Sequence, residues 1–179
     1  MAVESTTPTL LDQFTPHFDF ALREHVLADC APDRAARLVR RFGANPPRLF
    51  EWALSSPVPM RPRLSTPGFD ELLANGRWAV LGQRAGEGVV LGAAGRFWTT
   101  YSDWQDITPD AFATYDRPRR ATIAVAISHL PCGTGGALLT FEARATATDE
   151  VAYRWADWYW HVIRPTARLV IHQVLLAGT

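Results

Sequence analysis

Three side chains in this sequence have the chemistry needed for proton transfer: His129, Tyr101 and Glu142. A histidine titrates near neutral pH, and a phenol or carboxylate can polarise or hold a reacting group. His129 has the same parity as Ile123 and Val125 in a run that alternates like a β-strand, so it should point inward at a strand end. We take these three as candidate catalytic residues, with a hydrogen-bonded position at the rim as the alternative for His129.

Arg96, Glu142 and Arg144 are charged residues in segments that are otherwise apolar. A buried carboxylate with arginine partners can bind a polar group of a ligand or hold a catalytic residue. The alternative is a cross-strand ion pair on the solvent side of a sheet. Strand alternation puts Glu142 and Arg144 on the side opposite Phe141 and Ala143, which favours the solvent-side alternative.

The C-terminal segment, residues 149–179, predicts one long amphipathic helix. At about 100° per residue, Trp155, Trp158 and Tyr159 fall on one face. They are expected to stack on an aromatic or polyene ligand, with packing of helix on sheet as the alternative. Trp160 projects away from this face, which predicts a contact with the N-terminal segment or with a second subunit.

Four small residues, 92–95, follow one another in a predicted strand, and they either leave room for a ligand or bend the sheet. The loop after this strand, 99–106, contains Tyr101 and other polar and aromatic groups. Loops at the mouth of a pocket commonly set specificity. The candidate ligand-binding residues are Arg96, Trp98, Arg144, Trp155, Trp158 and Tyr159.

Composition limits the classes of function. The chain has 179 residues, of which 47% are hydrophobic and 20% charged, as expected for a single domain. Its 18 basic residues balance 18 acidic ones, so there is no electrostatic case for a nucleic-acid partner or an anionic membrane surface. Every basic residue is arginine. The absence of lysine excludes Schiff-base catalysis, lysine-anchored pyridoxal phosphate and the P-loop.

The sequence predicts no metal, no cofactor and no membrane span. Cys30 and Cys132 are far apart, without the close Cys or His spacing of a zinc site. No apolar run has the length of a membrane-spanning helix, and the first residues lack the basic and then apolar order of a signal peptide. We therefore expect a cytoplasmic protein, with monomer and homodimer both left open.

The order of predicted elements indicates an α+β fold. Residues 1–17 predict an N-terminal arm, either mobile or forming a covering strand, and residues 18–179 predict a single domain. Alternation predicts strands at 18–29, 78–84, 89–98, 120–130 and 137–148. Proline and acidic residues at helix starts predict helices at 31–42, 47–54 and 110–115.

Five local sequences carry a family resemblance, and they occur in this order: Ala31-Pro32 at a helix start, Gly92-Ala93-Ala94-Gly95-Arg96-Phe97-Trp98, Pro109-Asp110-Ala111-Phe112, Glu142-Ala143-Arg144 before Ala147-Thr148-Asp149, and Tyr159-Trp160-His161-Val162-Ile163-Arg164-Pro165. Together they resemble the SRPBCC superfamily, the helix-grip fold of START lipid-transfer domains and aromatic polyketide cyclases. The resemblance implies a curved antiparallel sheet wrapped around a long C-terminal helix, with two short helices after the first strand. It also implies a deep apolar cavity between sheet and helix.

The resemblance implies binding of a hydrophobic small molecule, but it fixes no reaction, because one scaffold holds carriers, sensors and enzymes. Our first hypothesis is a cofactor-independent cyclase or isomerase of a polyketide-like natural product in secondary metabolism. In it, His129, Tyr101, Arg96 or Glu142 moves protons or polarises a carbonyl. The second is a non-catalytic carrier or sensor of a lipid or other apolar ligand. The third is an interaction protein with a fully packed interior.

Overall fold

The computed structural model describes residues 9–44, 68–86, 88–99, 103–133 and 135–176. They form an antiparallel sheet of five strands in the order β1-β5-β4-β3-β2, with helices on both sides. The predicted α+β class, with a long C-terminal helix against the sheet, is confirmed. The elements are α1 (Leu10–Phe14), β1 (Phe20–Ala28), α2 (Pro32–Ala44), α3 (Phe69–Asn75), β2 (Ala79–Arg84), β3 (Gly88–Gly95), α4 (Pro109–Ala113), β4 (Ala121–Cys132), β5 (Gly136–Ala147) and α5 (Glu150–Leu176).

Strand register gives the sheet two different faces. Leu22, Ala143, Val125 and Leu91 are neighbours across β1, β5, β4 and β3. We call their side of the sheet the inner face, and α2 and α5 lie against it. The residues one position along each strand belong to the outer face, because successive side chains point to opposite sides.

The inner face holds the main hydrophobic core. Phe141 on β5 has no exposed surface and meets Phe69 of α3 edge to face, with ring centroids 6.2 Å apart. Ile123 and Ile127 on β4 are equally buried. Full burial of each such side chain contributes about 1.5–3 kcal/mol, so this face supplies most of the hydrophobic stabilisation.

Helix α5 presents a different side to the sheet from the one predicted. Tyr159 and Trp160 are buried, whereas Trp155 and Trp158 are 55% and 46% exposed, so the prediction that these two tryptophans face the sheet is wrong. The buried side is lined by small residues, among them Ala152, which let the helix approach the sheet closely. A count of large apolar residues centres the predicted buried face of α5 on Trp155. The side of the helix that is buried lies next to that face.

Trp160 packs inside the domain. Its ring lies 5.8 Å from that of Phe20 on β1, and Phe20 also contacts Tyr153 at 5.2 Å. The expected contact with the N-terminal segment or a second subunit is therefore replaced by a contact with the first strand.

The outer face is covered by α1 and α4. Leu11 of α1 and Phe112 of α4 are buried in a second, smaller core with Leu81, Val90 and Ala124. Residues 10–14 are thus a helix and not the covering strand considered for the arm. Thr9 begins this helix in a capping box with Asp12, in which each side chain bonds the backbone of the other residue.

Two of the sequence predictions lie outside the described residues: the helix at 47–54 and the position of Tyr101. Among the helices that the structure describes, none combines the length and apolar character needed to cross a membrane. The described residues also contain no group of three or more histidine, cysteine or acidic side chains that could hold a metal ion.

Candidate functional site

A pocket of about 460 Å³ lies on the outer face of the sheet, beside α1. Thr9, Leu10 and Leu11 form the wall on the α1 side, and residues of the β2–β3 turn and of β3 form another. The floor comes from β1, β5 and β4. The prediction placed a cavity between the sheet and the C-terminal helix, so this pocket is on the opposite side of the sheet from the expected one.

The floor consists of two adjacent rows of outer-face residues. One row runs Arg23, Glu142, Ala126 and Val90 across four neighbouring strands. The next row contains His25, Thr140 and Ser128. The first row is charged at one end and apolar at the other, and the second row is polar throughout.

Gly88 forms the corner where the floor meets the β2–β3 turn. Its φ is +139°, and a Cβ there would lie 2.4 Å from the carbonyl oxygen of Ile127. Both features require glycine, because a side chain would be strained and would collide with backbone. The position of β3 beside the pocket therefore depends on this residue.

Glu142 is the central charge of the floor. Its Oε2 accepts a hydrogen bond of 2.7 Å from Arg23 Nε, and its Oε1 accepts one of 2.8 Å from Arg144 Nε. Arg144 Nη1 in turn donates to Asp12 Oδ1 at 2.7 Å and to the Thr15 carbonyl oxygen at 3.0 Å. Two cations and two anions therefore form a neutral network that joins α1 to β1 and β5.

The burial of this network corrects one sequence prediction. Glu142 and Arg144 do lie on the side opposite Phe141, as the alternation indicated, but they are only 8% and 5% exposed. The segment from α1 to β1 covers them, and Phe18 stacks on the Arg144 guanidinium 4.5 Å from its ring centroid. The side of the sheet was predicted correctly, and its exposure to solvent was not.

The ion pair between Arg144 and Asp12, which joins α1 to the sheet, keeps both side chains charged. Burial lowers the pKa of Arg144, but hydrogen bonds to Asp12 and Glu142 outweigh it, so this pKa is raised above its usual value. Burial raises the pKa of Asp12, and the Arg144 and Thr9 hydrogen bonds more than reverse this, so the carboxyl pKa falls below its usual value. The ion pair therefore persists well into the acidic range.

His129 lies at the end of β4 and is among the residues that line the pocket. Its predicted parity with Ile123 and Ile127 is confirmed by the register, so its side chain belongs to the inner-face side, where α2 carries Arg40. Burial, with a smaller effect of the Arg40 charge, lowers the pKa of its imidazole below the ordinary 6.5. The ring is therefore neutral at pH 7, and its buried Nδ1 has no hydrogen-bond partner among the described residues.

The remaining predicted site residues lie away from this pocket. Arg96 follows β3 and pairs with Asp103 at 3.5 Å, and Trp98 is buried edge to face against Phe97 at 5.1 Å. Tyr159 has no exposed surface, and burial together with the nearby acidic charges of α3 raises its pKa. The structure thus brings Glu142 to the pocket floor, with Arg144 behind it. His129 reaches the edge of the pocket with its side chain on the inner-face side, and the aromatic candidates lie elsewhere.

Sequence reasoning missed Arg23, His25 and Ser128. His25 Nδ1 lies 2.9 Å from Thr140 Oγ1, and the Ser128 hydroxyl is on the neighbouring strand. Their signal was present, because polar residues alternate with Leu22 in β1. What the sequence did not contain was the pairing of β1 with β5, which puts these side chains next to Glu142.

No protein-family model matches this chain, and no curated protein matches it. Among solved structures, TTHA0849 from Thermus thermophilus is similar over 89% of this chain and 94% of that chain, with a TM-score of 0.38 and 8% sequence identity.

Proposed function

We propose that this protein binds a small molecule with an apolar body and one polar end in the outer-face pocket. The observation that carries the proposal is the composition of the pocket walls. Leu10, Leu11 and Val90 form an apolar side, and the row of His25, Thr140 and Ser128 forms a polar side. A volume of about 460 Å³ is within the range of small-molecule sites.

The polar side of the pocket can form further hydrogen bonds. His25 uses one ring nitrogen on Thr140, and the other has no partner in the described part of the chain. Both oxygens of Glu142 are already bound by arginines, so the carboxylate supplies no uncompensated charge. These features favour a ligand that is neutral or weakly charged, with a carbonyl or hydroxyl group at its polar end.

We also propose that the fold is of the helix-grip type and that the chain is related to the SRPBCC superfamily. Two observations support this: the five local sequences in matching order, and a long C-terminal helix packed on an antiparallel sheet. The ligand site proposed here is on the other face from the cavity that this resemblance implies. A carrier or sensor of an apolar metabolite is the form of the function that binding alone supports.

Filling the pocket should abolish binding. We expect Ala126→Phe to weaken the binding of the neutral fluorophore N-phenylnaphthylamine by about tenfold or more, because the ring would occupy the floor beside Val90. Ala21→Phe is the matched control, since Ala21 is exposed, lies on the same face of the sheet and does not line the pocket. Fluorescence titration measures both.

Equal affinity in the wild type and Ala126→Phe, with Ala126→Phe still folded by circular dichroism, would contradict the proposed site. Native mass spectrometry of the protein as purified gives a second measurement. A small molecule retained by the wild type and by Ala21→Phe, and lost from Ala126→Phe, would identify the ligand class directly.

A second candidate function is acid–base catalysis, as in a cofactor-independent cyclase or isomerase. The specific observation in its favour is His129 at the end of β4, which has a buried Nδ1 without a partner among the described residues and a lowered pKa. Its ring lies on the inner-face side of the sheet, so a substrate would have to reach it around the edge of the pocket. A neutral imidazole at pH 7 can take a proton from a carbon next to a carbonyl and return it elsewhere.

If His129 is the base, turnover of a bound carbonyl compound should have an acid limb below pH 6.5, the ordinary value. The neutral ring is the active form, so the rate falls as pH drops through the lowered pKa of the folded protein. His129→Gln should reduce kcat by about 100-fold or more and leave ligand affinity within a factor of about three. A rate unchanged in His129→Gln would remove this candidate and leave the binding function intact.

A further inference from the structure

A second polar site lies at the other end of the sheet from the pocket, where β3 ends and β4 begins. Its cations are Arg96, Arg117 and Arg120, which we call the arginine cluster. Residues 103–105 run beside the end of β3, fixed by a 2.9 Å bond from the Gln105 backbone N–H to the Ala94 carbonyl.

One carboxylate and one amide connect the arginine cluster. Asp103 Oδ2 accepts from Arg120 Nη2 at 2.5 Å and from Arg96 Nη2 at 3.5 Å. Gln105 Nε2 donates to Asp103 Oδ1 at 3.4 Å, and Gln105 Oε1 accepts from Arg117. Arg96 and Arg120 therefore share the Asp103 carboxylate, and Gln105 joins Arg117 to the same network. With three arginines and one aspartate, the network has a formal net charge of +2.

Three buried polar atoms in the same stretch of chain have no hydrogen-bond partner among the described residues. They are Trp104 Nε1, Tyr115 Oη and Arg120 Nε. Burial raises the pKa of the Tyr115 hydroxyl, and the charges of Arg120, Arg117 and Asp103 also act on it. All three atoms can donate a hydrogen bond, and more than about 90% of buried polar groups in proteins have a partner. Among the described residues, this end of the sheet therefore lacks an acceptor for these three donors.

We propose that the arginine cluster binds the phosphate group of a small metabolite. A phosphate monoester carries about two negative charges at pH 7 and three strong acceptor oxygens. This matches both the excess charge and the need for acceptors, whereas a bridging water would supply acceptors without neutralising the cluster. Arginine is also the side chain best suited to phosphate, because its planar fork donates two bonds at once. This site is independent of the proposed pocket.

The direct test is calorimetric titration of the full-length protein with inorganic phosphate and, separately, with glycerol phosphate, at constant ionic strength set by chloride. We expect saturable binding of at least one of them. Arg96→Gln and Arg117→Gln should each weaken it by about tenfold or more, since each removes a charge-assisted contact. Arg119→Gln is the matched control, because it removes the same charge from the turn that holds Arg117, and the hydrogen bond of Arg119 among the described residues is made by its backbone N–H to Asp149.

A second measurement follows the donors themselves. The indole N–H resonance of Trp104 is assigned with Trp104→Phe. As phosphate is added, this resonance should move downfield to a constant final position, because the indole N–H gains a phosphate oxygen as acceptor. Saturable binding of the monoester alone indicates a metabolite ligand, and equal binding of free phosphate indicates that the phosphate group suffices. No binding above the chloride background, or an equal loss in Arg119→Gln, would overturn the proposal.

Discussion

Arg144→Ala is expected to lower the free energy of unfolding by about 3–5 kcal/mol, the usual cost of removing one partner from a buried ion network. Glu142 would keep a single arginine, Asp12 would lose its partner across the α1–sheet contact, and the Thr15 carbonyl would lose its donor. Urea denaturation, followed by circular dichroism so that the whole fold is observed, measures the change.

The matched control is Arg154→Ala on α5, which breaks the exposed pair with Glu150. Exposed pairs of this kind contribute less than about 1 kcal/mol. If the two variants lose the same amount of stability, the Arg144 network is not buried as described. Loss of α1 docking would also open the wall of the pocket, so N-phenylnaphthylamine affinity should fall in Arg144→Ala and remain unchanged in Arg154→Ala.

The strands were the most predictable part of this fold. The predicted strands at 120–130 and 137–148 correspond to β4 (Ala121–Cys132) and β5 (Gly136–Ala147) within two residues at each end. Regular alternation and the glycine-rich turn between the two strands are local patterns. Such patterns predict strands well when one face of the strand is buried. The position of His129 at the end of β4 followed from the same alternation.

The candidate site was less predictable, because it depends on contacts between distant segments. Alternation showed which side of the sheet Glu142 occupies, but only the docking of α1, more than one hundred residues earlier, shows that this side is buried. The sequence of α1 is five residues long, and a helix of that length is not stable alone. Its position is decided by Leu11 and by Arg144, and neither contact is visible in a local pattern.

The sequence pattern also could not show which side of α5 packs on the sheet, since apolar residues cover two adjacent sides of the helix. Close approach to the sheet selects the side with alanines at Ala152, Ala156 and Ala167. Large residues such as Trp155 cannot sit at the point of closest contact without pushing the helix away. A hydrophobicity count weights tryptophan over alanine, and so it favours the wrong side.

This orientation of α5 on the sheet predicts very different losses of stability for two tryptophans that are five residues apart. Trp160→Ala should lower the free energy of unfolding by about 3–5 kcal/mol, because it leaves a cavity beside Phe20. Trp155→Ala should cost less than about 1 kcal/mol, since its ring is more than half exposed and its described ring contact is with Trp158, itself on the surface. Equilibrium urea denaturation of both variants compares them under one condition. A larger loss for Trp155→Ala would mean that α5 is rotated on the sheet and would restore Trp155 and Trp158 as candidates for a wall beneath the helix.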